Sequence, residues 1–344
     1  MKKIVILAAI AALTLTASCT KNTVVATPQE DAISISAFTP AATKGQTSSS
    51  TALESFYHQF NVYAFVGTAT TFMNNIPYVY STSWAYQNDT DKKYWPQTDA
   101  INFYGYVPVS GYATPTITST TQSLSVTVPT ASAAQQDVMY AKCLNATKSN
   151  RDGDNTTATP ASGSVPMVFH HALSQVNFAA KNTNSLIKVT VTGVAIKNVK
   201  NTVSVDFSGN ATTSGSLTDY AAVLDNASYA LTATATTMTT NDHLILAPQS
   251  TATIPWDPTV TSDATGSRFA ITCKILDAAT DVVIYDGVAY LPATFNWQSG
   301  KNYIYTFVFG DGAGKTPDGD NILDYITFVP SVETWVDQSN DVTM

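Results

Sequence analysis

Apolar and polar positions alternate with a period of two in short runs along most of the chain, beginning with Ile33-Ser34-Ile35-Ser36-Ala37-Phe38. Alternate side chains of a strand point to opposite faces, so each such run predicts a half-buried β-strand. The same reading predicts strands at Phe60 to Val66, Tyr78 to Tyr80, Ile101 to Val107, Ser123 to Pro129, Val138 to Ala141 and within Val165 to Ala180. A second series follows at Leu186 to Val199, Val203 to Phe207, Leu244 to Leu246, Thr251 to Ile254, Phe269 to Leu276, Val282 to Tyr285 and Lys301 to Phe309, with a last segment at Ile322 to Val336. Asn, Asp, Gly and Pro punctuate the runs as turns. No stretch of about a dozen residues beyond the N-terminal leader has the apolar spacing of a helix. The pattern therefore predicts an all-β protein of two antiparallel β-sandwiches, divided near Asn182 to Ser185.

Composition narrows the class of partner. The chain has 344 residues, 44% hydrophobic and 10% aromatic, which excludes disorder and is more than one core usually serves. Only 12% of residues are charged, and Lys plus Arg number 17 against 25 Asp plus Glu, for a net charge of -8. Such a surface cannot neutralise a phosphate backbone, so nucleic acid is excluded as a partner.

The N-terminus reads as an address. Lys2 and Lys3 precede an apolar run from Ile4 to Leu15, then Thr16-Ala17-Ser18-Cys19. This is a secretory signal peptide over residues 1–18, and its apolar run is too short to span a bilayer. Small residues before Cys19 resemble a lipobox, which makes Cys19 the expected lipidation site and gives the precursor a membrane attachment through lipid. A polar tether, Thr20 to Glu30, leads to the first strand, and Pro40 to Thr51 (PAATKGQTSSST) follows it as a linker whose one basic residue is Lys44. Cys143 and Cys273 have no C-x-x-C partner; free buried thiols are expected, with a disulfide open as the alternative in an oxidising compartment.

Motifs that carry chemistry fail on spacing. Gly310 to Thr316 (GDGAGKT) has Phe309 where a phosphate loop needs Gly, and it reads as a flexible connector. Asp152-Gly153-Asp154-Asn155 and Asp318-Gly319-Asp320 lack the Glu that closes a calcium loop and read as surface turns. His170 and His171 are adjacent in a predicted strand, so they face opposite ways and cannot share a metal. The cluster Tyr78, Tyr80, Trp84, Tyr86, Tyr94 and Trp95 offers a sugar-stacking platform or, more simply, the core and rim of the first sandwich. No nucleophile-base pairing stands out, so the expectation is no enzyme, no cofactor and no metal.

Six elements taken in order resemble one family. They are Phe60-Asn61-Val62-Tyr63-Ala64-Phe65, Tyr94-Trp95-Pro96, Ile101 to Pro108 (INFYGYVP), Phe169 to Val176 (FHHALSQV), Leu246-Ala247-Pro248-Gln249, and Trp297, Gly300 and Tyr303 followed by Trp335. The succession is similar to that of fimbrillin-like proteins, the type V pilins of anaerobic Gram-negative bacteria. The resemblance implies two transthyretin-like antiparallel β-sandwich domains in tandem, carried to the outer membrane as a lipoprotein and then into a surface fimbrium. It implies that a trypsin-like protease removes the N-terminal segment with its first strand. The C-terminal strand of a neighbouring pilin subunit then fills the vacated groove. In this chain the processing point is Lys44-Gly45, where the family more often has Arg, and the expelled strand is Ile33, Ile35, Ala37 and Phe38.

On that basis the chain divides into the signal peptide, residues 19–44 as lipidated tether and removable strand, 45–183 as the N-terminal sandwich, and 184–344 as the C-terminal sandwich. The donor segment is 322–336, where Ile326, Phe328, Val332 and Val336 fall on one parity with Pro330 between them. Four large apolar side chains give on the order of 6 to 12 kcal/mol of gross burial. Pro330 cannot donate to a ladder and needs a bulge or an unpaired edge. The expected partners are other pilin subunits, the processing protease and a host or bacterial surface ligand. The alternative is a monomeric surface lipoprotein that binds a glycan or host protein.

Overall fold

The computed structural model describes residues 32–38, 53–67, 70–155, 163–240, 242–251, 266–310, 314–315, 321–323 and 326–334. Cys19, Lys44, Gly45 and Val336 lie outside these residues, as does most of the strand expected at Thr251 to Ile254. The described residues are all-β. The strands are β1 (Ser34–Phe38), β2 (Gln59–Val66), β3 (Thr70–Tyr80), β4 (Trp84–Tyr86), β5 (Ile101–Val107), β6 (Ala113–Ile117), β7 (Gln122–Thr127), β8 (Met139–Ala146), β9 (Ser164–Val168), β10 (His170–His171) and β11 (Ser174–Asn182). They continue with β12 (Ile187–Asp206), β13 (Ala211–Ala221), β14 (Tyr229–Ala230), β15 (Thr236–Thr237), β16 (Leu244–Leu246), β17 (Arg268–Asp277), β18 (Val283–Pro292), β19 (Lys301–Phe309), β20 (Gly314–Lys315), β21 (Asn321–Leu323) and β22 (Ile326–Thr334). Helical structure among them is limited to single turns at Leu53–Tyr57, Asp89–Asp91 and Ser132–Ala134.

Four sheets result. A six-stranded antiparallel sheet runs β10-β8-β5-β2-β3-β4, and β1 and β9 form a two-stranded parallel pair. Together they enclose one core, in which Phe60, Val62, Phe103, Cys143, Val165, Met167 and Phe169 meet Ile33, Ile35 and Ala37. A five-stranded sheet, β15-β11-β19-β22 with β16 on β11, and a nine-stranded sheet, β21-β20-β18-β17-β12-β7-β6 with β13 and β14 on β12, contribute to the second core. Its centre is aromatic: Phe178, Phe269, Tyr305 and Phe307 pack with ring centroids between 4.8 and 6.5 Å apart.

Sheet membership crosses the expected boundary. The hairpin β6-β7 precedes it in sequence yet joins the nine-stranded sheet, through Ser123 to Thr127 opposite Asp206 to Thr202. The reason is the length of β12, 20 residues, which pairs β17 along its first half and β7 along its second. The same crossing explains why β5 is buried on both faces: Ile101 and Phe103 enter the first core while Tyr104 and Tyr106 pack into the second. Two pairings, β1 with β9 and β11 with β19, are parallel, a correction to the wholly antiparallel expectation. Cys143 and Cys273 are free and buried, one in each core, so no disulfide links them.

Candidate functional site: the first strand and its seat

Ile33 is 1% exposed, Ile35 2% and Ala37 6%, so one face of the first strand is wholly inside the first core. The intervening Ser34 is exposed and Ser36 half-buried, as the alternation requires. Full burial of an Ile side chain contributes about 1.5 to 3 kcal/mol, so these two isoleucines alone represent about 3 to 6 kcal/mol. The backbone is held more lightly. It pairs with β9 along one side, in parallel register from Ser34 opposite Ser164 to Phe38 opposite Val168. On the other side the described contacts are the bridge between Ala32 and Tyr94 and the Ile33 amide donating to the Lys93 carbonyl at 2.9 Å. The Ser34 hydroxyl donates to the Gly163 carbonyl at 3.2 Å, and the Ser36 and Ser164 hydroxyls share a hydrogen bond of 2.5 Å.

The seat is an aromatic and sulfur-lined trough. Phe60 stacks on Tyr78 with centroids 5.5 Å apart and meets Phe169 edge-on at 5.2 Å; Trp95 meets Phe103 edge-on at 6.1 Å. Gly105 lies beneath Met167 and Phe169, where an added Cβ would stand 3.1 Å from the Met167 methyl carbon, so a larger residue there would crowd the trough. Burial raises the Tyr78 phenol well above its ordinary range, and burial raises Tyr86 beside it. Both stay neutral at physiological pH, and the Tyr78 hydroxyl donates to the Ile33 carbonyl of the strand at 3.5 Å. The aromatic cluster expected either as a sugar platform or as the core and rim of the first sandwich divides between the two: Tyr78 and Trp95 are buried, Tyr80, Trp84 and Tyr86 are half-buried, and Tyr94 at 44% exposure is at the surface beside the start of the strand.

The turn after β8 props the trough from outside. Gly153 has φ +53°, and a Cβ there would fall 2.1 Å from the Leu144 carbonyl oxygen, which only glycine avoids. The Leu144 amide donates to the Asp154 carboxylate at 2.6 Å, and the Asn155 amide group donates to the Lys142 and Pro166 carbonyls. Arg151 lies over the Trp95 ring at 5.8 Å and donates to Gly163, the residue that also accepts from Ser34. The Asp152 to Asn155 segment is therefore a turn that fastens β8 to β9. Among the described residues no group of three or more His, Cys, Asp or Glu could hold a metal ion. His170 is exposed and His171 buried, with its Nδ1 2.7 Å from the Asp137 carboxylate.

The expected donor segment lies on the second core's sheet. β22 runs antiparallel to β19 without a register shift, Ile326 opposite Phe309, Phe328 opposite Phe307, Pro330 opposite Tyr305 and Val332 opposite Tyr303. Those four partners on β19 are all buried. β22 is also the sheet's last strand, the edge position that Pro330 requires. What precedes it is not simply a connector: Gly314–Lys315 and Asn321–Leu323 pair with each other, and Lys315 pairs with Tyr290 of β18. Sequence reasoning missed β9 as the parallel partner of the first strand, and it missed the Arg151 and Gly163 fastening. The dense apolar run from Val165 to Ala180 was the signal for the first, but nothing local assigns it a direction.

The described residues thus form an all-β protein with two cores, the first of which buries Ile33, Ile35 and Ala37 of the first strand. The chain belongs to the fimbrillin-like family, whose profile matches residues 20–335. Solved structures to which it is similar include a proposed cell adhesion protein of Bacteroides uniformis, 16% identical over 90% of this chain and 99% of that one with a TM-score of 0.49. A proposed cell adhesion protein of Bacteroides eggerthii is 13% identical over 90% and 97%, TM-score 0.48. The fimbrial anchor protein Mfa2 of Porphyromonas gingivalis is 8% identical over 87% and 97%, TM-score 0.32. A search of curated proteins gave no match.

Proposed function

We propose that this fimbrillin-like chain is a structural subunit of a cell-surface fimbrium, exported as a lipoprotein acylated at Cys19 and assembled by strand exchange. Cleavage at Lys44-Gly45 separates Ile33 to Phe38 from the body of the protein. The strand departs, and segment 322–336 of a neighbouring copy enters its seat. The observation that carries this reading is the contrast within the first strand: its apolar face is buried, yet its backbone ladder to β9 is five residues long, and its other side is held, among the described residues, by one bridge at Ala32 and one bond from Ile33. Removing it opens a strand-shaped apolar trough with unpaired backbone along β9, a template for strand addition. Ile326, Phe328, Val332 and Val336 supply an apolar row of matching period, and Pro330 reaches an edge in the filament as it does in the free subunit. The two domains are of transthyretin-like type in this reading, and the protein acts without a cofactor.

The test is the intact mass and N-terminal sequence of protein sheared from cells that express it natively. A chain that begins at Gly45 supports the reading. One that begins at acylated Cys19 with the first strand attached overturns it, in favour of an unprocessed binding lipoprotein. A second test addresses the donor: Ile326→Asp or Phe328→Asp abolishes polymer while monomer is still secreted, and undiminished polymer assigns the donor role elsewhere.

A further inference from the structure

Seven large apolar residues are exposed among the described residues, and four of them gather at one place: Leu186 at 73%, Val282 at 62%, Val283 at 49% and Ile284 at 41%. Backbone hydrogen bonds tie them together. The Ala278 amide donates to the Leu186 carbonyl at 2.9 Å, and the Asp277 amide to the Val282 carbonyl at 2.9 Å. Isolated exposed hydrophobics need no explanation, but a cluster of this size on a chain of net charge -8 does. Beside it, at the surface, Lys188 pairs with Asp281 at 2.7 Å.

The position of the cluster matters more than its size. It stands at the end of the second core where β11 and β19 finish side by side, Asn182 opposite Phe309, and where the Thr183 amide donates to the Phe309 carbonyl at 2.7 Å. That end is where the chain leaves β19 at Gly310 and re-enters at Ile326 opposite Phe309, so the proposed donor departs from here. Gly310 has φ +143°, and a Cβ there would lie 2.2 Å from the Thr183 hydroxyl, so the exit is pinned against the residues that precede Leu186. From Ser164 to Asn182 the chain runs through β9, β10 and β11 from the seat of the first strand to this tip. At the other end of that path the seat begins at Ala32 and the exposed Tyr94.

We propose that the Leu186, Val282, Val283 and Ile284 tip is the face on which the next copy of this chain seats, and that the next copy presents the Tyr94 end of its vacated groove. The inference rests on the strand-exchange reading. It adds to that reading a side-chain contact between the bodies of successive subunits, distinct from the exchanged strand. A donor leaving beside the apolar tip draws the neighbour's groove against it, and the tip is then covered in the filament and exposed only in the free subunit.

The test uses the full chain expressed in cells that process it, with the double substitution Leu186→Lys and Val283→Lys. Both positions are exposed, so the fold is retained. The variant is expected to begin at Gly45 and, as processed monomer, to bind a synthetic 322–336 peptide like the unaltered chain, but to yield at least tenfold less polymer by size-exclusion of sheared material. Polymer equal to that of the unaltered chain overturns the tip contact and leaves strand exchange standing. An unaltered chain that neither binds the peptide nor polymerises overturns strand exchange, and this inference with it. A chain carrying Val283→Cys and Tyr94→Cys gives a second readout: a ladder of disulfide-linked multimers that neither substitution gives alone. Absence of that ladder in filaments that do form also overturns the proposed contact.

Discussion

The two cores of this molecule are closed in different ways. The second is built around long strands, β12 of 20 residues among β7, β13 and β17, and β19 between β11 and β22, so its two central strands are held by ladders on both sides and by side chains beneath. The first is closed by a short segment, Ile33 to Phe38, that contributes two buried isoleucines and an alanine, pairs with β9 over five residues and is held on its other side, among the described residues, by the Ala32 to Tyr94 bridge and one bond to Lys93. The comparison teaches that burial and attachment are separable. A strand can be integral to a core by its side chains while its backbone ladder stays short.

The sharpest way to break this comparison is to remove residues 1–44 and supply no replacement strand. Loss of about 3 to 6 kcal/mol of Ile burial, together with exposure of the trough, is comparable to the stability of a whole domain. Amide hydrogen exchange is then expected to lose protection in 59–107 and 139–169 and to keep it in 174–182 and 268–309. Uniform loss across both regions would mean that the cores are not separable.

Single substitutions sharpen it further. Phe269→Ala, at the centre of the second core's aromatic cluster, is expected to cost about 3 to 5 kcal/mol, and Ile35→Ala about 2 to 5 kcal/mol, by urea denaturation. The first should leave the exchange pattern of the first core unchanged, and the second should leave that of the second. Gly153→Ala forces a Cβ against the Leu144 carbonyl at positive φ and is expected to cost about 1 to 3 kcal/mol, felt in the first core alone.

The smallest effect is a pH dependence. Burial pushes the Cys143 and Cys273 thiols up to about 12. A thiol whose folded pKa lies above its unfolded value, about 8.5, binds its proton more tightly in the folded state. Each therefore contributes stability that is full below the unfolded pKa and declines as pH rises from there towards 12. Replacing either cysteine by Ala flattens that alkaline slope, measured as the urea midpoint from pH 8 to 10.

Much of this was legible from alternation alone. The strands at Ile101 to Val107 and Lys301 to Phe309 have the limits that the pattern predicts, because both are dense runs of strand formers bounded by turn residues. β13 was not legible: its Thr, Ser and Gly row has no apolar alternation, and it is a strand because Val203 to Val205 of β12 offer a ladder. The placement of β6-β7 was hidden for the same reason, since sheet membership is decided by a distant partner and not by local periodicity. At the site, Ile33, Ile35 and Ala37 could be picked out as the buried face of a short strand, and the structure places them in the first core. Its parallel partner, the trough lining and the Arg151 to Gly163 fastening could not, because strand direction and long-range contact leave no trace in a run of five residues.

Cys143 shares the first core with Ile33 and Ile35, whereas Cys273 lies in the second. Thiol labelling of the two at pH 8 therefore reports each core in one experiment. The full chain is expected to label slowly at both positions. After cleavage at Lys44 and departure of the first strand, Cys143 should label at least tenfold faster with Cys273 unchanged, and added 322–336 peptide should return Cys143 to slow labelling. Continued protection of Cys143 after the strand has gone, or indifference to the peptide, would contradict the claim that the first strand is an exchangeable part of the first core.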